Sequence, residues 1–248
     1  LLVDLGTNGE ILLRHGGRML ATATAAGPAF EGGRMTHGVR AVAGAIAHVR
    51  FPPGRFSPQL EVIPGASGVR GLCGSAYVDF LAQARHSGLL QPNGRFDPDR
   101  WIEIPPAHRQ ENEDGRGVRL LAGNAATTVT EADIAELLQA KAAVAAGIVT
   151  ILRHAGLRPT DVHRLYLAGG FGLHLDGAAA IACGLLPGFT PAQIEVVGNT
   201  SLGGAWLALV DRTILPEMVA ASVTAEVIEL NLEPGFEDTF IDHLCLPV

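Results

Sequence analysis

The sequence predicts an α/β fold, a mixed sheet flanked by helices. Three observations carry that prediction. The chain opens strand–turn–strand, with apolar residues on both sides of Gly6-Thr7-Asn8-Gly9. One long helical period covers residues 131–155, where Ile134, Leu137, Leu138, Val144 or Ala145, Ile148, and Ile151 or Leu152 recur on one face. Two compact apolar strands, 162–167 and 194–198, each run into a glycine cluster ahead of a helix, which is where open α/β sheets bind ligands.

Composition narrows the function classes. A chain of 248 residues can bury a sizeable core in one large domain or two small ones. With 48% hydrophobic and 17% charged residues it reads as ordered. A net charge of −7 without a basic cluster argues against nucleic acid as a partner. The longest apolar runs, such as 142–152, are too short for a bilayer, so no membrane role is expected. Cys73, Cys183 and Cys245 lie far apart with no CxxC, which points to neither a metal cage nor a disulfide framework and favours a reducing cytosol. The nine histidines show no HExxH or other zinc spacing. No Met and no signal peptide begin the chain, and the reading is a piece of a longer protein.

Taken in order, the opening hairpin is followed by a His15-Gly16-Gly17 turn and a third strand, 18–24. A loop rich in small residues, Ala25 to Met35, carries one acid, Glu31, which read alone is a capping or solvated carboxylate. Residues 36–49 fit a short helix or a strand pair. A strand at 59–63 leads to Gly71-Leu72-Cys73-Gly74-Ser75 and a helix ending near His86, whose glycine-flanked N-terminus suits an anion. Cys73-Gly74-Ser75-Ala76-Tyr77 has the frame of a papain-type motif, but Ala76 stands where the nucleophile belongs, so Cys73 reads as a small buried side chain. Residues 87–117, with Pro92-Asn93-Gly94, Pro105-Pro106 and Glu111-Asn112-Glu113-Asp114-Gly115, read as a surface excursion with a β-ribbon at 95–104. A strand resumes at 118–122.

The long helix starts at Thr128 or Thr130, with Glu131 or Asp133 completing a capping box, and Gly156 ends it. Lys141 interrupts its apolar stripe. The lysine either snorkels to water or points at a ligand from the inner edge. Helices are then expected at 175–183, 202–209 and 215–222, a late strand at 227–232, and a packed tail at 236–246.

The opening hairpin carries the chemistry. Asp4 ends its first strand and Thr7 lies inside the turn. N–H groups of a glycine-rich turn can converge on an anion, a hydroxyl adds a donor, and a neighbouring carboxylate can hold Mg²⁺ directly or through water. That is a phosphate hairpin; an ordinary hairpin with Asx hydrogen bonds fits the same residues.

Five motifs now stand in one order: Asp4-Leu5-Gly6-Thr7-Asn8-Gly9-Glu10, Ala26-Gly27-Pro28-Ala29-Phe30-Glu31-Gly32-Gly33, Arg70-Gly71-Leu72-Cys73-Gly74-Ser75, Leu167-Ala168-Gly169-Gly170-Phe171-Gly172, and Gly198-Asn199-Thr200-Ser201-Leu202-Gly203-Gly204-Ala205. Together they resemble the C-terminal part of the reductive activators of corrinoid proteins. Those are ATP-dependent iron–sulfur proteins of the acetate and sugar kinase/Hsp70/actin (ASKHA) superfamily. The resemblance implies a ribonuclease-H-like, actin-like ATPase lobe spanning 1–248. It implies ATP and Mg²⁺ as ligands, with Asp4, Gly6, Thr7, Asn8 and Gly9 at the phosphates and metal. Gly169, Gly170 and Phe171 fall at the adenosine, Lys141 on the ribose or base side, and Glu31 at the water or metal. A [2Fe–2S] cluster would belong only to an absent N-terminal ferredoxin domain, and the first lobe is also absent. The partner implied is a corrinoid protein whose cob(II)alamin is returned to cob(I)alamin, with homodimerisation as a further option. The expectation for the isolated chain is weak nucleotide binding and little or no hydrolysis. Two alternatives stay open: a partner-docking domain of the same fold, with Thr36-His37-Gly38 and 87–117 as surfaces, or a lobe of another ASKHA kinase or activator.

Overall fold

The computed structural model describes residues 1–52, 56–113 and 115–247. Asp114, part of the acidic stretch in the excursion, lies outside the described residues. The principal sheet begins with β1 (Leu2–Leu5), β2 (Gly9–His15) and β3 (Arg18–Thr24), an antiparallel meander. His15 pairs with Arg18 across Gly16 and Gly17, which sit at φ 57° and 78°, the two positive values that a tight primed hairpin turn requires. The earlier turn, Gly6 to Gly9, contains no positive φ. Gly9 therefore answers to close approach, with Thr24 Oγ1 2.7 Å from where its Cβ would stand, and neither glycine to a left-handed turn.

A smaller sheet in the order β5-β4-β6 follows, from β4 (Ala45–Arg50), β5 (Gln59–Val62) and β6 (Gly71–Leu72). Helix α1 (Gly74–His86) packs on β4 and is buried along most of its length. Asp79 of α1 accepts from the Val49 N–H at 3.1 Å and lies 2.9 Å from His48 Nδ1, which stitches helix to strand. Burial pushes the Asp79 carboxyl above the usual range, against the opposing pull of His48.

The excursion is more ordered than the sequence suggests. Residues 95–104 do not form a ribbon. They hold a single bridge, Leu90 to Phe96, and then helix α2 (Pro98–Glu103). The Asp97 carboxylate caps Asp99 and Arg100 N–H at 3.1 Å, and Pro98 takes the first turn, where its missing N–H costs nothing. The ribbon comes later, as β7 (Arg109–Asn112), β8 (Gly115–Arg119) and β9 (Thr128–Thr130). Its Arg109 and Arg116 guanidiniums lie over the Trp101 ring at 5.3 and 4.7 Å.

Helix α3 (Glu131–His154) starts with the expected capping box between Thr130 and Asp133. It is long and apolar enough to cross a membrane by length and composition, but its apolar stretch is 78% buried inside the fold. It lies against β2 and β3. Close approach needs two glycines there. A Cβ on Gly147 would overlap Thr24 and sit 2.9 Å from Ile11, and one on Gly9 would sit 2.7 Å from Thr24 Oγ1.

The chain returns to the principal sheet with β10 (Leu165–Ala168), parallel to β1, then the short turns of helix α4 (Gly169–Gly172) and α5 (Gly177–Ala182). Strand β11 (Ile194–Gly198) pairs parallel with β10. Helices α6 (Thr200–Val210) and α7 (Leu215–Thr224) follow. The late strand shrinks to β12 (Glu226–Val227), parallel to β3, and the tail closes with α8 (Phe236–Asp242) against α3. The sheet order is β11-β10-β1-β2-β3-β12. A three-strand meander continued from its first strand by two parallel strands is the ribonuclease-H-like arrangement, so the mixed α/β fold is as the sequence predicts.

Lys141 does neither thing expected of it. It is 2% exposed, so it does not snorkel, and it does not line the nucleotide-sized cavity described below. Its ammonium donates to the carbonyls of His243 at 2.5 Å and Cys245 at 2.8 Å, pinning the tail after α8. Burial lowers its pKa from the ordinary 10.5.

Candidate nucleotide cavity

Strands β1, β10 and β11 run parallel, so their carboxyl ends lie side by side. Each of the three glycine-rich motifs begins at one of these ends. The topology thus gathers segments that are about 165 and 195 residues apart in sequence at one crevice, as the rule for open α/β sheets requires. A cavity of about 360 Å³ opens there. From β1 it is lined by Asp4, Leu5 and Gly6; from the β10 end by Gly169, Gly170 and Phe171; from the α6 end by Asn199 and Ser201. Glu31 and the first residues of α1 close other sides.

Asp4 is positioned from two directions. The Ser201 hydroxyl donates to Asp4 Oδ2 at 3.4 Å. Gly169, at φ 91°, lets the loop after β10 rest directly on it: a Cβ there would collide with Asp4 Oδ1 and lie 2.6 Å from the Leu5 carbonyl oxygen. Glu31 ends a 3₁₀ turn, Pro28–Glu31, and its Oε1 accepts from the Thr7 hydroxyl at 3.0 Å. The two predicted acids therefore share one cavity, one on the sheet and one tied to the hairpin turn.

The aromatic wall is a stacked pair. Phe171 lies on Phe30 with centroids 5.1 Å apart and planes 20° apart. Gly74 makes room for both, since a Cβ would overlap the Phe30 carbonyl and sit 2.8 Å from the Phe171 ring. Helix α1 has no side-chain cap at Cys73, and its first residues, Gly74 and Ser75, line the cavity. Cys73 itself is buried, 3.0 Å from the Ile46 carbonyl and 3.1 Å from Ser75 Oγ, the structural role expected of it.

Four predicted residues, Thr7, Asn8, Gly9 and Lys141, do not line the cavity. Gly9 is buried at the start of β2 beneath α3 and serves packing. Thr7 and Asn8 are exposed beside the cavity without lining it; Thr7 acts through Glu31. The Gly6 N–H, expected to face a phosphate, donates to the Asn8 carbonyl at 3.0 Å. Lys141 is remote, as described. Thr36-His37-Gly38 is braced on the fold: the Thr36 N–H donates to Asp133 Oδ1 at 2.7 Å, and a Cβ on Gly38 would overlap the Gly32 carbonyl.

Sequence reasoning did not single out Arg40, His174, Asn199 or Ser201 as site residues, yet all four line the cavity. For Asn199 and Ser201 a signal existed, because they follow a strand that feeds a helix. Nothing local marks Arg40.

Among the described residues no group of three or more His, Cys, Asp or Glu side chains could by itself hold a metal. Two carboxylates at one cavity fit Mg²⁺, which keeps its waters and takes phosphate oxygens alongside one or two carboxylates. They do not fit an iron–sulfur cluster. Cys73 and Cys183 are buried singly and Cys245 is exposed.

The family model described as the C-terminal domain of RACo, the ASKHA domain, matches residues 1–248. A corrinoid activation enzyme of Eubacterium limosum, RamQ, is 30% identical over 249 residues, covering 97% of this chain and 42% of that protein. The [Co(II) methylated amine-specific corrinoid protein] reductase of Methanosarcina barkeri is 26% identical over 271 residues, covering 98% and 45%. A solved structure titled as a reductive activator for corrinoid, iron–sulfur protein superposes with a TM-score of 0.89 at 33% identity, covering 99% of this chain and 39% of that one. The chain spans less than half the length of these relatives. On the full-length match of the family model, the chain belongs to the family of RACo C-terminal, ASKHA-type domains.

Proposed function

We propose that this chain is the nucleotide-binding part of an ATP-dependent activator that reduces cob(II)alamin on a corrinoid protein to cob(I)alamin by one electron. The observation that carries this reading is the convergence of Asp4, Glu31, Gly169 and the α1 N-terminus on one cavity at the carboxyl ends of three parallel strands. The names of the relatives supply the corrinoid partner. The electron would come from a [2Fe–2S] centre carried elsewhere in a longer polypeptide. Bound Mg·ATP would supply the free energy that makes the electron transfer favourable.

Within the chain, Asp4 would hold Mg²⁺ directly or through its water, and the Ser201 hydroxyl donates to the Asp4 carboxylate. Glu31, held by Thr7, faces the same space and orients a water. The α1 N-terminus and Gly170 present N–H groups to phosphate without a side chain in the way, and Phe171 offers an apolar face to the nucleoside. A reducing cytosol suits three unpaired thiols.

A second copy of the chain is the proposed occupant of the α6–α7 face. Neither helix buries a residue, and Leu202, Trp206, Leu209, Val210, Leu215, Val219 and Val223 are exposed by 42 to 79%. A standard interface buries ~800 Å² on each partner, and an exposed apolar face of two helices can contribute to one. Its charged residues are only Asp211, Arg212 and Glu217. So uncharged a face suits a permanent homotypic contact better than a redox encounter that must dissociate.

The test is an amide-resolved NMR titration of the chain with Mg·ADP and Mg·ATP, which reads dissociation constants into the millimolar range. Expected are shifts at Gly6, Gly169 and Gly170 that vanish in Asp4→Ala. No shifts with either nucleotide would sink the nucleotide reading. The expectation of little hydrolysis fails if the chain turns over steadily and Asp4→Ala abolishes it.

A further inference from the structure

Arg40 is the arginine at the cavity, and it is exposed. Six other arginines, Arg18, Arg95, Arg100, Arg116, Arg158 and Arg164, form ion pairs with carboxylates. Arg40 forms none among the described residues, although Asp4 and Glu31 line the same cavity. A guanidinium within reach of two carboxylates would pair with one of them if it could. Arg40 therefore lines the cavity beyond pairing distance of both acids.

The segment that carries Arg40 is held firmly. The Val39 N–H donates to the Leu72 carbonyl at 2.9 Å, and the Leu72 N–H donates to the His37 carbonyl at 3.0 Å. The Val42 N–H closes a tight turn on the Arg40 carbonyl at 2.8 Å. A Cβ on Gly32 would lie 2.7 Å from the Val39 nitrogen, so the backbone has no slack there. The backbone at Arg40 is thus preorganised while its side chain is left without a protein partner.

We propose that Arg40, unpaired with the metal-side carboxylates, contacts the charged phosphates of the nucleotide and so sets preference for the more highly charged nucleotide. This rests on the nucleotide reading above. A planar guanidinium matches phosphate oxygens in pairs, and it gains with each added negative charge. An uncharged nucleoside, held by the Phe171 side, gains nothing from it.

The experiment compares the 248-residue chain with Arg40→Gln, titrated by NMR with Mg·ATP, Mg·ADP and adenosine. Arg40 is exposed and pairs with no carboxylate, so the variant folds, and its unshifted amide spectrum checks this. Expected is about tenfold weaker Mg·ATP binding, a smaller loss for Mg·ADP and unchanged adenosine binding. Equal losses for all three, or no loss for Mg·ATP, overturns the assignment while leaving the nucleotide reading intact. If the unaltered chain binds none of the three, the nucleotide reading itself fails and Arg40 falls with it.

Discussion

Helices α3 and α6 are both apolar, yet their fates are opposite. Helix α3 has Ile134, Leu137, Val144, Ile148 and Ile151 at 1% exposure or less, covered by the sheet on one side and α8 on the other. Helix α6 buries nothing, and its Trp206 and Leu209 are 62% and 79% exposed. Hydrophobicity says that a surface will be covered; it does not say by what. The first helix is covered by its own chain. The second presents a face that the described residues leave uncovered, while its N-terminal Ser201 reaches Asp4 in the cavity. One region is finished by intramolecular packing and the other is not.

The largest effect is expected on the finished side, where α4 meets β1. Gly169→Ala must place a methyl group against Asp4 Oδ1 and the Leu5 backbone at a φ of 91°. Left-handed strain and overpacking together predict a loss of about 3 kcal/mol in denaturant unfolding. Nucleotide-induced shifts should be lost as well. A loss under about 1 kcal/mol would show that the loop after β10 yields and that the cavity floor is not fixed.

How much of this was legible follows the same division. The five-motif order and the glycine-ended strands were readable because parallel strands must end at one edge, so local sequence carries global information there. The capping box at Thr130 and Asp133 was readable for the same local reason. Lys141 was not, because its partners are carbonyls 102 and 104 residues away and a buried ammonium leaves no local mark. Helix α2 could have been read: Asp97-Pro98 is an N-cap followed by a proline at the first helical position, a local signal that the turn-rich composition of the excursion masked. Arg40 reaches the cavity through a loop braced on β6, a contact no spacing rule encodes. The exposure of α6 was invisible, since its composition is that of a core helix.

Lys141→Met probes the closing of the finished side and should have a middling effect. The carbonyls of His243 and Cys245 lose their donor, at a cost of about 1–3 kcal/mol, partly returned because a buried charge is removed. The pH dependence has a definite sign. Burial lowers the folded-state pKa below 10.5, so between the two values the unfolded chain holds the proton that the native chain has released. Stability of the parent relative to Lys141→Met therefore rises with pH across that window. Paired denaturation curves from pH 7 to 10.5 measure it, and a difference that falls instead would mean that the lysine is held protonated by its carbonyls.

The smallest effect on stability is expected at the unfinished side, and it separates stability from association. In dilute solution Trp206→Ala removes a side chain that is 62% exposed, so chemical denaturation should change by no more than about 0.5 kcal/mol. Sedimentation equilibrium at tens of micromolar should show the parent chain associating as a dimer and Trp206→Ala or Leu209→Asp shifted toward monomer. A parent that stays monomeric at every concentration removes the second copy as occupant and leaves the face to another segment or to the corrinoid protein. A concentration-independent loss near 2 kcal/mol would break the comparison altogether. That is the cost of uncovering a packed aromatic, and it would mean that α6 is held against its own chain in solution.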